Sequence, residues 1–435
     1  MVNWLAGRHV REVRAPRSFG ARAAGLVLTT VITLATGLTG CTDSTPDAGR
    51  PKATPDAPSE KPFVGSTCKE QPVREPCQDI SVDGMVRRYA LLSPKSPTRD
   101  TVLVDLGGPG EAALSGTKSL SSFQESFPEI SDKFNILVVE EPWVTRPVSD
   151  ACSSTLSSYY LRLHGGDAEG AARFTDELDR ECRLGKGEWG FTPTSYAHLV
   201  SAISTQHNLQ LKGFVGHSWG SARLTYLDVP SLDFSVLVRP FPVGTDAASL
   251  IAERARILAT IKPNGATRAT IDERRSQKVT EFDRLSATVA LGYVSDASLG
   301  QDAAAVGSGQ DKALIGSLSD QLWKRYGESS LSPGVLAQLD EMCPLVGTGP
   351  PLKTVRTVTD LLTAQFAPCP AAPAPTQQAT VAKKSCIAAS PSDAVTPYRL
   401  VRESFGTTKT RFVDSTERSH GSFQGLTECL KVVLD

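Results

Sequence analysis

A short apolar run ending in Gly-His-Ser-Trp-Gly constrains this chain more than any other segment. Residues 212–222 read KGFVGHSWGSA. The pattern predicts a strand over residues 213–215 that reverses sharply into a helix, with Ser218 on the reversal. Gly216 and Gly220 fit because side chains there would collide as strand and helix close on each other. Ser218 is therefore a candidate nucleophile. A Gly/Ser turn can produce the same five letters by chance, so the rest of the chain has to decide.

A serine held this way needs an acid and then a histidine further along the chain. The chain has six histidines, and only His420 lies after Ser218. It sits in ERSHGSF, a polar segment that suits an exposed loop. The acid should follow a strand upstream of it. Asp393 does so within residues 385–397, SCIAASPSDAVTP, and Asp414 competes after the strand-like residues 410–413. Asp393 is preferred because it leaves a strand and a helix before the histidine. An oxyanion formed on an attacked carbonyl needs two backbone amides. Trp219 supplies one from the elbow, and residues 101–110, TVLVDLGGPG, offer a second from a Gly-rich loop after a strand.

In this order, GGPG after a strand, GHSWG, DAVTP and a late SHG resemble the prolyl aminopeptidase and tripeptidyl aminopeptidase-like branch of the α/β-hydrolases. The likeness extends to secreted and lipid-anchored actinobacterial members of that branch, and spans most of residues 80–435. The resemblance implies Ser218 as nucleophile, Asp393 as orienting acid, His420 as base, the Gly108 and Trp219 amides as oxyanion hole, and no cofactor. It implies a peptide or ester substrate. Two departures stand out. The family writes His before Gly-Gly-Pro-Gly, where this chain has Leu106. Its Asp-x-Arg-Gly motif is replaced by residues 134–147, FNILVVEEPWVTRP, with Glu140 or Glu141 where the Asp would stand.

The order of elements predicts an α/β fold, a mostly parallel sheet flanked by helices. Strand-like runs at residues 86–92, 102–106, 136–140, 214–217 and 235–238 alternate with polar or helical segments. Leu199, Val200 and Ile203 give residues 196–208 a helical period, which places His198 and His207 on its surface. The expected hydrolase core covers residues 67–245 and 385–435. Residues 246–384 read as a helical cap, with helices at 249–258 and 272–285 and a Pro/Ala-rich return linker at 369–378. In the resembled peptidases cap acids hold the substrate's amino terminus, and Glu273, Glu281, Glu328 and Glu341 all remain open for that role. A net charge of -1 gives no bias toward nucleic acid.

The amino terminus carries Arg8, Arg11, Arg14, Arg17 and Arg22 before an apolar run at residues 23–38, which stops at Leu38-Thr39-Gly40-Cys41. This resembles a bacterial lipoprotein signal over residues 1–40, too short for a comfortable membrane span. Cys41 is then the lipidated first residue, which holds the protein to the outer face of the membrane. Residues 41–66 form a flexible tether with too little apolar content to fold. Nine cysteines less Cys41 leave eight, an even number with no metal-ligand spacing. Neighbourhood suggests Cys68–Cys77, Cys152–Cys182, Cys343–Cys369 and Cys386–Cys429. The expectation is an exported serine hydrolase, an aminopeptidase first, with a carboxylesterase or a catalytically weakened binding lipoprotein as alternatives.

Overall fold

The computed structural model describes residues 77–114, 123–264, 279–370, 379–406 and 410–435. The expected signal segment, Cys41, the tether, Cys68, Glu273 and most of the return linker lie outside the described residues.

Eight strands form one sheet: β1 (Gln78–Val82), β2 (Met85–Leu92), β3 (Asp100–Asp105), β4 (Asn135–Val139), β5 (Gln210–His217), β6 (Phe234–Val238), β7 (Lys384–Ala389) and β8 (Thr410–Asp414). Their order across the sheet is β1-β2-β4-β3-β5-β6-β7-β8. β1 and β2 pair antiparallel, as do β2 and β4, and every pairing from β4 to β8 is parallel. The inner parallel strands β3, β4, β6 and β7 are buried over most of their length, as expected where helices cover both faces. Alternation along each strand divides the cover. Leu103, Leu137, Phe214, Leu237 and Ile387 face one hydrophobic core, whereas Val102, Val104, Ile136, Val215, Val236 and Cys386 face the other. This arrangement, with Ser218 leaving the end of central strand β5, is the α/β-hydrolase fold.

The helix before β5 runs Pro193–Gln206, and a capping box between Thr192 and Ser195 fixes its start. Its buried face carries Tyr196, Leu199, Val200 and Ile203, the expected stripe. His198 is exposed, but His207 is half-buried, with Nε2 2.7 Å from the Tyr89 hydroxyl.

Helices fill the segment between β6 and β7: Ala247–Leu258, Glu281–Ala290, Asp296–Ser308, Lys312–Trp323, Gly334–Val346 and Val358–Phe366. Of the helix expected at 272–285, residues 272–278 lie outside the described residues, and the described helix overlaps the remainder. It begins at Glu281, because Thr280 and Asp283 form a capping box there, and continues to Ala290. This layer also recruits Asp150–His164, which the sequence reading gave to the core. Tyr160 and His164 on that helix meet Phe282, and Tyr160 meets Trp323, edge to face. Disulfides join Cys152–Cys182, Cys343–Cys369 and Cys386–Cys429, three of the expected pairs. No helix among the described residues is long and apolar enough to cross a membrane.

Candidate active site

Ser218 sits immediately after β5 at φ 54°, a left-handed conformation that non-glycine residues rarely adopt. Three backbone hydrogen bonds hold it there: its N–H donates to Val238 O at 3.0 Å, and its carbonyl accepts from Phe241 N at 3.0 Å and Ser221 N at 3.1 Å. The flanking glycines are sterically required. A methyl group on Gly216 would lie 2.8 Å from Ser221 Cα, and one on Gly220 would lie 2.3 Å from Asp105 O.

The structure brings Ser218, His420 and Asp393 together. Ser218 Oγ is 2.6 Å from His420 Nε2, and His420 Nδ1 is 2.9 Å from Asp393 Oδ2. With Nδ1–H donating to the carboxylate, Nε2 is the acceptor facing the serine hydroxyl. Asp393 lies in the loop after β7, where its Oδ1 accepts from the amides of Val395 and Thr396 at 2.8 and 3.1 Å. Burial pushes its pKa up. The opposing pull of His420, Arg239 and the Thr396 amide is stronger and holds it well below the usual carboxylate range. Asp414 takes no part: it ends edge strand β8 and accepts from the Tyr398 hydroxyl at 2.7 Å.

His420 is 0% exposed, so the exposed loop expected around it is corrected. The reason is tertiary. The segment between the helices Glu281–Ala290 and Asp296–Ser308 covers it: His420 N donates to Gly292 O at 3.0 Å, and Tyr293 stands perpendicular to its ring with centroids 5.5 Å apart. Asp296 accepts from the amides of Arg418 and Ser419 at 2.9 Å each. On the other side His217, the residue before Ser218, has Nε2 2.9 Å from His420 O and Nδ1 3.3 Å from Leu106 O. Burial first, and the neighbouring His420 second, push the His217 pKa down to about 3. The neutral ring has one proton to give, and the shorter contact to His420 O receives it.

The Gly-rich loop lies against the elbow. A methyl group on Gly107 would fall 2.1 Å from His217 O and 2.9 Å from Trp219 N, so bare backbone is the only fit. Gly108 adopts φ 73°. Neither its amide nor that of Trp219 donates to a protein acceptor among the described residues. Both are available to an oxyanion.

Two buried ion clusters brace this site, and sequence patterns pointed to neither. Arg239, just after β6, is 3.3 Å from Asp393 Oδ2 and donates to Ser415 Oγ, Glu417 O and Ser422 O at 2.9, 2.9 and 3.1 Å. Thr396 Oγ1 lies 3.0 Å from the same Asp393 oxygen and 3.1 Å from Arg239 O. Beneath the elbow, Arg223 pairs with Asp105, Glu141 and Glu341 at 3.3, 2.7 and 2.7 Å. Asp105 Oδ1 accepts from Gly107 N at 2.9 Å, and Glu341 Oε2 accepts from the Trp219 indole at 2.6 Å. The cluster thus ties the Gly-rich loop and the elbow to the helix Gly334–Val346. Burial raises the Glu141 pKa well above normal, against the pull of Arg223.

The departures at Leu106 and at residues 140–141 acquire a local explanation. Glu140 accepts from the amides of Ala113 and Leu114 at 2.7 and 3.1 Å and from its neighbour Glu141 at 2.8 Å, holding the stretch after the Gly-rich loop. Leu106 packs its side chain against the second core and presents its carbonyl to His217. Of the acids left open for an amino terminus, Glu341 is committed to Arg223 and Trp219, and Glu281 pairs with exposed Arg284.

No protein-family model and no curated protein matches this chain. Among solved structures it is similar to a proline iminopeptidase-related protein from Thermus thermophilus, at 13% identity over 83% of this chain and 99% of that one, TM-score 0.36. It is also similar to a hydrolase from Pseudomonas aeruginosa, at 13% identity over 82% and 98%, TM-score 0.38. A thermophilic esterase from Thermogutta terrifontis is similar at 10% identity over 82% and 95%, TM-score 0.36.

Proposed function

We propose that this protein is a serine hydrolase working through an acyl-enzyme on Ser218. The observation that carries the reading is the buried hydrogen-bonded line from Ser218 Oγ through His420 to Asp393, starting from a serine in left-handed backbone. His420 Nε2 takes the hydroxyl proton as Ser218 attacks a carbonyl carbon, and the Gly108 and Trp219 amides meet the oxyanion. His420 then protonates the leaving group, water repeats the sequence on the acyl-enzyme, and Asp393 keeps the imidazole in the productive tautomer. The motif resemblance favours an aminopeptidase. A carboxylesterase is the second reading, supported by the commitment of Glu341 to internal partners, which removes one candidate for holding a substrate ammonium.

Fluorophosphonate labelling of the oxidised protein beside Ser218→Ala tests the reading. Labelling lost in the variant is expected. A folded wild type that does not label would sink the proposal and leave a hydrolase fold retained for binding. Peptide and ester panels then separate the two activities, because an amine leaving group requires protonation and a phenolate does not.

We further propose export and lipid anchoring through Cys41. The three disulfides suit an oxidising compartment. Mass spectrometry of the native amino terminus should find a diacylglycerol-modified Cys41; an unmodified terminus elsewhere would refute the anchor.

A further inference from the structure

The loop that carries His420 lies between β8 and the final helix, Leu426–Leu434, and forms neither helix nor strand, so its peptide groups need partners from other segments. Arg239 takes two of its carbonyls, those of Glu417 and Ser422. The amides go elsewhere. Those of Arg418 and Ser419 donate to the Asp296 carboxylate at 2.9 Å each, and that of His420 donates to Gly292 O at 3.0 Å. Asp296 Oδ1 by itself lies 3.0 and 2.9 Å from the first two. Ser419 Oγ adds a bond to Tyr293 O at 3.3 Å, and the Arg418 guanidinium reaches Thr260 Oγ1 at 2.6 Å. Three successive amides leading into the imidazole are thus held by residues 292–296.

Asp296 is exposed and opens the helix Asp296–Ser308. An acid at that position ordinarily serves its own helix, complementing the dipole and the free amides. This carboxylate makes no hydrogen bond within its helix among the described residues, and Ser295, the N-cap, makes no side-chain capping bond either. It reaches instead to a loop 122 residues further along the chain. Two charge-assisted bonds from neighbouring amides fix the peptide planes just ahead of His420. The imidazole they position stands 2.6 Å from Ser218 Oγ, a geometry in which a displacement of about 1 Å can cost about a hundredfold in rate.

We propose that Asp296 is a positioning residue for the reaction, acting through the backbone of Arg418 and Ser419 to hold the His420 imidazole in line with Ser218. This rests on the serine-hydrolase reading for its effect on rate but not for its effect on the histidine. The helical insertion then helps to align the proton transfer as well as covering it.

The test compares Asp296→Ala and Asp296→Asn with Asp360→Ala, using p-nitrophenyl acetate as substrate. Asp360 is a matched control: it too accepts from two successive amides, those of Arg356 and Thr357 at 2.9 and 3.0 Å, but on the flank of its own helix. Asp296→Ala should lower kcat by about tenfold to a hundredfold with KM changed less than about twofold. Asp296→Asn keeps an oxygen that can accept from both amides and should return to within about threefold of wild type. Asp360→Ala should lower the melting temperature and leave kcat within about twofold. The downfield proton resonance of His420 Nδ1–H should shift or broaden in Asp296→Ala and stay in place in Asp360→Ala. A kcat for Asp296→Ala within about twofold of wild type, or a fall matched by Asp360→Ala, overturns the proposal. If Asp296→Ala does not fold, Asp296→Ser decides, because its shorter hydroxyl cannot reach both amides: a similar fall supports the proposal and an unchanged kcat overturns it. Should wild type neither label with fluorophosphonate nor turn over the ester, the hydrolase reading fails alone. The proton resonance then decides, a change in Asp296→Ala supporting the positioning role and an unchanged resonance rejecting it.

Discussion

Arg239 and His420 converge on one oxygen. Asp393 Oδ2 lies 2.9 Å from His420 Nδ1 and 3.3 Å from the Arg239 guanidinium, with the Thr396 hydroxyl at 3.0 Å. The carboxylate that orients the imidazole is thus also the anchor of an arginine that holds the histidine loop through the carbonyls of Glu417 and Ser422.

Arg239→Met should therefore destabilise the fold by roughly 3–5 kcal/mol, the usual result of removing one partner of a buried pair. Arg239→Lys should recover only part, because a single ammonium cannot span four acceptors on two segments. Guanidinium unfolding of the two variants checks both values. Loss under about 1 kcal/mol would mean that the pair carries little.

Asp393→Asn should leave the backbone in place and reduce kcat by about 10⁴-fold, because an amide can present N–H to Nδ1 and select the wrong tautomer. Asp414→Asn should change kcat by less than about twofold, as a surface substitution away from the chemistry. Steady-state kinetics on one activated ester decides, and a large effect at Asp414 would reverse the assignment of the acid.

Glu341→Gln addresses the lower cluster. Both carboxylate oxygens of Glu341 accept from two donors: Oε1 from Arg223 and Phe191 N, Oε2 from Arg223 and the Trp219 indole. Either orientation of the amide turns its NH₂ toward donors. A loss of about 3 kcal/mol is expected. It should show as a lower unfolding midpoint at unchanged m-value.

Two buried groups give opposite pH signatures. Burial raises the Glu140 pKa from 4.5 to about 7, so the folded state keeps a proton that the unfolded chain releases. Its contribution is complete below pH 4.5 and is lost as pH rises through about 7, a change of up to roughly 3 kcal/mol. Burial lowers the His217 pKa from 6.5 to about 3, so its contribution is present above pH 6.5 and is lost as pH falls toward 3. Relative to wild type, Glu140→Gln should gain stability between pH 5 and pH 8, and His217→Gln should gain it between pH 7 and pH 4. Denaturant unfolding across that range tests each sign.

The elbow could be read from the chain because its physics is local. Gly216 is close in sequence to the atoms it would strike, in Phe214 and Ser221, so the five-residue pattern carries that steric requirement, whereas Gly220 would strike Asp105, a contact made only by the fold. Strand alternation around Val102, Phe214 and Val236 follows from the two-residue pleat in the same way. His420 was identifiable because no other histidine follows Ser218.

The partners of these residues could not be read from it, because they meet across more than a hundred positions. Arg223 reaches Glu341 and Arg239 reaches Asp393 at separations of 118 and 154 residues. Nothing in the polar run around His420 reveals that Gly292, Tyr293 and Asp296 will cover it. Burial and charge pairing are properties of how the helical insertion folds back onto the sheet. For that reason order and spacing along the chain sufficed to single out Ser218, Asp393 and His420 as candidates, while their bracing and their enclosure arise only where distant segments pack together.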